Sequence, residues 1–183
     1  MGLTVDLLLR SFGRLNNGER GQMHNRLTIS WTEYYYLIEK LAVIVHRSGW
    51  SFNGIVCLAR GGLRVGDILS RIFKCPLAIL ATSSYVNQQR GKLKIADCLT
   101  MTTDHLPDRI LLVDDLVDSG ETIKQTMEWL QSHYPIQALK TAVIWYKDQS
   151  KFTPDYFVEH LPGNIWIEQP FEIYESFSFA DHP

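Results

Sequence analysis

A chain of 183 residues with 45% apolar content is long enough for one packed domain, and its formal charge of -2 offers no basic footprint for nucleic acid or an anionic membrane. Cys57, Cys75 and Cys98 lie far apart without metal-ligand spacing, which argues against a zinc site or a disulfide framework and fits a reducing cytoplasm. No apolar run approaches the roughly 20 residues of a membrane span, and the first ten residues lack the basic start and long apolar stretch of an export signal.

Residues 1–26 read as a polar, Gly- and Asn-rich extension expected to be poorly ordered or peripheral, although "LTVDLLLRSF" within it is compatible with a short helix. Met23 is a second candidate for the translation start. The patterned region, 27–183, is expected to be one domain. "SWTE" from Ser30 has the form of a capping box, and Tyr34, Leu37, Ile38, Leu41, Ile44 and Val45 recur at helical spacing until Gly49. A short apolar run, "GIVCLA" (54–59), then meets "RGG", the helical "VGDILSRIF" (65–73) and a second apolar run, "LAILAT" (77–82).

Residues 83–108 are polar and too long for an idle loop, so a mobile lid or a pair of short edge strands is expected there. "RILLVDD" predicts the next buried strand, "TIKQTMEWLQSHY" (122–134) a helix with Ile123, Met127 and Leu130 on one face, and "LKTAVIW" (139–145) another strand. Strands alternating with helices define an α/β domain with a mostly parallel twisted sheet flanked by helices. His24, His46, His105, His133, His160 and His182 show no ligand spacing and are read as surface residues.

The chemistry concentrates in "ILLVDDLVDSGET" (110–122). Ligands of an open parallel sheet bind beyond the carboxyl ends of its strands, where "ILLV" delivers Asp114 and Asp115. Two adjacent carboxylates suit a sugar diol or a hydrated divalent cation. The residues that follow suit an anion: Gly120 permits close backbone approach, Ser119 and Thr122 offer hydroxyls, and a helix begins with free N–H groups. A diol beside a phosphate describes a phosphoribosyl group, although an isolated acid pair also occurs at phosphoryl-transfer and receiver sites.

This stretch resembles the phosphoribosyl pyrophosphate signature of type I phosphoribosyltransferases. "LARGG" (58–62) is similar to that family's pyrophosphate loop, "SSY" with "NQQRGKLK" to its flexible loop, and "WIEQPFE" (166–172) to the purine-contacting segment of xanthine-guanine phosphoribosyltransferases. The similarity spans about residues 28–174, and it implies a small hood and a flexible loop beside the main sheet.

By that resemblance, Arg60 and Gly61 hold pyrophosphate oxygens, Arg90 contacts phosphate, and Ser119, Gly120, Glu121 and Thr122 cradle the 5-phosphate. Asp114 and Asp115 bind the ribose hydroxyls, with Asp115 the partner of Mg2+. Asp118 faces the purine N7 as catalytic acid or base, Lys147 donates to a 6-oxo group, Trp166 stacks on the base, and Ile167 offers backbone groups to the 2-position. Glu172 stands where an Asp matches the pattern more closely, which leaves the choice among guanine, xanthine and hypoxanthine open. The implied reaction joins a 6-oxopurine to phosphoribosyl pyrophosphate in purine salvage, in a cytoplasmic homo-oligomer (dimer or tetramer) without nucleic-acid partners. The alternatives are a phosphoribosyltransferase for another base, or a regulatory nucleotide sensor, which should show a basic face.

Overall fold

The apolar runs of the sequence become neighbouring strands of one sheet. A computed structural model describes residues 22–23, 25–86 and 89–178, which fall into two compact units, a larger one between 37 and 163 and a smaller one that joins the described residues up to 36 with those from 164 to 178. In chain order the elements are β1 (Gln22–Met23), β2 (Arg26–Thr28), α1 (Trp31–Arg47), β3 (Gly54–Ala59), α2 (Leu63–Phe73), β4 (Leu77–Val86), β5 (Gln89–Ile95), β6 (Arg109–Val117), α3 (Glu121–His133), β7 (Ala138–Lys147), β8 (Tyr156–Leu161) and β9 (Trp166–Glu168), followed by a 3-10 turn at Glu172–Glu175.

In the larger unit six strands run in the order β5-β4-β3-β6-β7-β8, all parallel except β5, which pairs antiparallel with β4. The central strands are apolar throughout because both faces are covered. Val56, Leu58, Leu80, Ile110, Leu112 and Val143 pack with Ile123 and Leu130 of α3 on one face. On the other, α2 lies so close to β3 that a Cβ on Gly66 would come within 2.5 Å of the Cys57 Cβ. Burial of this thiol, and secondarily the charge of Asp114, pushes its pKa up to about 12, so Cys57 is an inert core residue.

In place of a pair of short edge strands, the polar region after residue 82 holds the end of β4, which continues to Val86, and the single edge strand β5, paired antiparallel with it across a bulge between Ser83 and Tyr85. Strand β8 was not expected from the sequence. Its parallel pairing with β7 needs only the eight residues 148–155, because Tyr156 enters level with Ala142 and the chain must run back about 16 Å. The Asp155 carboxylate fixes that return by accepting from the Thr141 N–H and hydroxyl, both at 2.9 Å.

The smaller unit joins the two ends of the sequence pattern. Strand β2 pairs antiparallel with β1 and parallel with β9, in the register Arg26↔Trp166 and Thr28↔Glu168. The boundary expected at residue 26 therefore falls inside paired backbone. Its signal was invisible locally, since a three-residue strand owes its existence to a partner 140 positions away. Ser30 and Glu33 form the capping box as expected: the Ser30 N–H donates to Glu33 Oε2 at 3.0 Å and the Glu33 N–H to Ser30 Oγ at 3.2 Å. Trp31 and Tyr34 pack against Phe171 at centroid separations of 6.4 and 5.7 Å.

Candidate active site

The sheet's connections reverse direction between β3 and β6, since β3 leads through α2 to β4 on one side and β6 through α3 to β7 on the other. That divergence is the place, at the carboxyl ends of both strands, where open α/β sheets bind their ligands. Pairing of β3 with β6 ends at Cys57↔Val113, so Asp114 and Asp115 follow at the level where the chain of β3 turns away into Arg60 and Gly61. Strand β6 itself does not stop at Val113: it continues to Val117 along β7 alone. The acid pair thus sits within a strand that has lost one neighbour.

The loop after β3, which opens with a cis peptide at Ala59–Arg60, lies directly on the acid pair. A Cβ at Gly61 would come within 2.7 Å of the Asp115 Cγ, and one at Gly62 within 2.7 Å of the Val113 carbonyl oxygen. Gly61 is there because the loop must approach a carboxylate, and Gly62 because it must approach the backbone of β3 and β6. Asp114 accepts from the Asp115 N–H at 3.0 Å. Burial first, and the neighbouring Asp115 charge second, hold its pKa well above the usual carboxylate value, while the backbone N–H groups of Asp115 and Gly62 pull the other way. A carboxyl in this state gains when a cation or a hydroxyl donor arrives.

Beyond β6 the turn 118–121 has the conformation an anion site requires. Gly120 adopts φ 81°, and a Cβ there would meet the Phe152 Cβ at 2.6 Å and the Ser150 Oγ at 2.8 Å. The Lys151 N–H donates to the Ser119 carbonyl at 3.1 Å, which fastens the loop after β7 to the turn. Helix α3 then begins at Glu121 without a side-chain cap from Gly120, and the Ser119 hydroxyl reaches the Glu121 N–H only at 3.4 Å. The first-turn N–H groups, with the positive end of the helix dipole, are oriented for phosphate. Thr122 stands in that turn.

Register brings the remaining residues of the larger unit together. Val117 pairs with Tyr146, so the next positions, Asp118 and Lys147, emerge side by side, with Lys147 Nζ 3.4 Å from Asp118 Oδ1. Lys147 is buried, and Gln149, which sequence reasoning passed over, donates its carboxamide to the same Asp118 oxygen. No sequence pattern marks Gln149, because its role depends on the turn after β7. Arg60 lies exposed at the loop, and Arg90 lies on β5 opposite Tyr85 in the hairpin register; its side chain is outside the described residues.

Trp166 and Ile167 belong to the smaller unit. Trp166 is 59% exposed and Ile167 is buried. The Trp166 N–H donates to the Asn25 carbonyl at 2.7 Å and the Glu168 carbonyl accepts from the Ile29 N–H at 3.0 Å. Alternation along a parallel ladder then directs the Ile167 peptide groups to the outer edge of β9, which is the edge strand of its sheet. Glu172 is folded back: its backbone N–H donates to the Gln169 carbonyl at 3.0 Å and its Oε1 accepts from the Gln169 N–H at 3.2 Å.

Among the described residues no three His, Cys, Asp or Glu side chains converge as a metal cage. The adjacent carboxylates of Asp114 and Asp115 nevertheless fit magnesium, which is commonly held by one or two carboxylates and completed by substrate oxygens and water.

An acid pair, a glycine loop on those acids and a glycine turn at a helix start, set at the carboxyl ends of a mostly parallel sheet, are the parts that a phosphoribosyl-binding α/β protein requires. The chain belongs to the phosphoribosyltransferase family, since the model of the phosphoribosyl transferase domain matches residues 30–176. It is similar to the xanthine-guanine phosphoribosyltransferase of Idiomarina loihiensis, 30% identical over 80% of this chain and 86% of that one. The corresponding protein of Chromohalobacter salexigens is 28% identical over 82% and 86%. Among solved structures, a purine phosphoribosyltransferase from Pyrococcus horikoshii matches with a TM-score of 0.67 and 25% identity, covering 81% of this chain and 95% of that one.

Proposed function

We propose that this protein transfers the 5-phosphoribosyl group of phosphoribosyl pyrophosphate to N9 of a 6-oxopurine, releasing pyrophosphate and a nucleoside monophosphate. The observation that carries the reading is the 3.4 Å separation of Lys147 Nζ and Asp118 Oδ1 beside the cradle. In its N7–H form a 6-oxopurine presents an acceptor, O6, next to a donor, N7–H. Lys147 donates and Asp118 accepts, so the pair matches that edge and opposes the 6-amino group of adenine.

Placement in the fold and the family resemblance support the remaining roles. The N–H groups of the turn 119–122 take the 5-phosphate, Asp114 and Asp115 accept from the ribose hydroxyls, and Arg60 with the Gly61 backbone takes the pyrophosphate. As N9 bonds to C1′ and the C1′–O bond to pyrophosphate breaks, positive charge develops on the ribose and negative charge on the leaving group. Arg60 stabilises the latter, and Asp118 accepts the N7 proton that the base sheds. Asp115 would hold magnesium, which when bound supplies further charge neutralisation at the departing pyrophosphate. Trp166 offers its exposed face for stacking, and the Ile167 peptide groups address the 2-position.

Purine salvage in the cytoplasm, as a homo-oligomer, is the setting that the family resemblance supports; no described helix is long and apolar enough to cross a membrane. The test incubates guanine, xanthine, hypoxanthine, adenine, orotate and uracil with phosphoribosyl pyrophosphate and magnesium, and measures nucleotide and pyrophosphate together. The 6-oxopurines should exceed adenine by at least about tenfold in kcat/KM, as expected when a charged donor faces a donor. Adenine as the best substrate, or no turnover of any base, would overturn the reading.

A further inference from the structure

Strands β2 and β9 set four side chains on one face of the smaller unit's sheet. Their register pairs Arg26 with Trp166 and Thr28 with Glu168, while the intervening Leu27 and Ile167 are buried on the opposite face. Arg26 Nη2 donates to Glu168 Oε1 at 2.7 Å, and Thr28 Oγ1 donates to Glu168 Oε2 at 2.9 Å. Both oxygens of one carboxylate are thereby held, which removes the rotamer freedom a surface glutamate ordinarily keeps. Each oxygen still has capacity for another donor, since an ionised carboxylate offers about four lone-pair sites.

Trp166 precedes Glu168 by two residues on this face, about 6.6 Å along the strand. A planar base resting on the exposed indole therefore reaches toward the clamped carboxylate with one edge. Glu172 is committed to the Gln169 N–H, so Glu168 is the better-placed acid of the "WIEQPFE" segment.

We propose that Arg26 is a positioning residue for base choice: with Thr28 it fixes the Glu168 carboxylate as an acceptor for the 2-amino group of guanine. The inference rests on the 6-oxopurine reading above. At C2 hypoxanthine carries hydrogen, guanine a donor and xanthine an acceptor. A carboxylate can only accept, so a fixed one favours guanine, opposes xanthine and is indifferent to hypoxanthine. An ion pair this exposed contributes little to stability, so its effect should appear in substrate choice.

The experiment measures kcat and KM for guanine, xanthine and hypoxanthine in the parent protein and in Arg26→Met, Arg26→Lys and Glu168→Gln, with thermal melting of each. Arg26→Met should lower kcat/KM for guanine about tenfold or more, mainly through KM, and leave hypoxanthine within about threefold. Arg26→Lys should restore part of the loss. Glu168→Gln should narrow the gap between guanine and xanthine, because a carboxamide also donates. Should Arg26→Met fail to fold, the other two variants carry the same comparison. Guanine and hypoxanthine falling together, or neither changing, would overturn the role of Arg26. Failure of the parent on every base would instead overturn the enzyme reading itself.

Discussion

Lys147 and Asp118 form an ion pair of 3.4 Å at the carboxyl end of the sheet, with the lysine side chain 9% exposed and the aspartate 38%. The two residues proposed to read the purine's 6-oxo and N7 positions therefore hold each other before any base arrives. Asp118→Asn should lower turnover roughly 10²-fold or more, by loss of the proton acceptor. Lys147→Ala should narrow the preference for 6-oxopurines over adenine. Because the residues touch, a double-mutant cycle should show a coupling of ~0.5–3 kcal/mol in kcat/KM. Additive effects, or turnover of Asp118→Asn within about threefold of the parent, would separate the pair from the chemistry.

Gly61 is tested by a single methyl group. Its Cβ would intrude on the Asp115 carboxylate, and the displaced acid is the one proposed to serve both the ribose and the metal. Gly61→Ala should raise KM for phosphoribosyl pyrophosphate about tenfold or more, equivalent to ~1.4 kcal/mol, while purine KM changes little. An unchanged KM would show that the loop moves away without consequence.

Asp114 makes the ligand-free protein sensitive to pH. Burial, then the Asp115 charge, raises its folded pKa above the ordinary 3.8. Its contribution to stability is thus complete below the ordinary value and is lost as pH rises through the raised folded one, because burial and the Asp115 charge oppose ionisation in the folded state. Asp114→Asn should therefore melt at a higher temperature than the parent near pH 7, and the difference should close in acid. The same variant should lose most of the thermal protection given by phosphoribosyl pyrophosphate with magnesium. A parent protein that melts higher at pH 7 would refute the electrostatic account.

Gly120 combines positive φ with a crowded Cβ position against Phe152 and Ser150. Gly120→Ala should cost at least ~1–2 kcal/mol from the left-handed conformation alone, a fall of roughly 2–8 °C in melting temperature for a chain of this size. It should also weaken nucleoside monophosphate binding, measured by titration calorimetry. A variant as stable as the parent would mean the turn does not require glycine.

Contiguous residues determined the central strands, the Ser30–Glu33 cap and the glycine turn before α3, because each depends on neighbours in sequence: an apolar run, a three-residue spacing, a glycine before a helix. Strand β8 escaped this reading because "YFVEHL" lies at the sheet edge, buried at Tyr156 alone, and carries neither an apolar run nor clean alternation. Residues 22–26 read as tail for a similar reason: only pairing with β9 turns Arg26 into the partner of Glu168. The acid pair was legible as chemistry, but its contact with Gly61 required β3 and β6 to be neighbours. The meeting of Asp118 with Lys147 and Gln149 required the β6–β7 register, in which a shift of one residue would carry the lysine to the other face of the sheet.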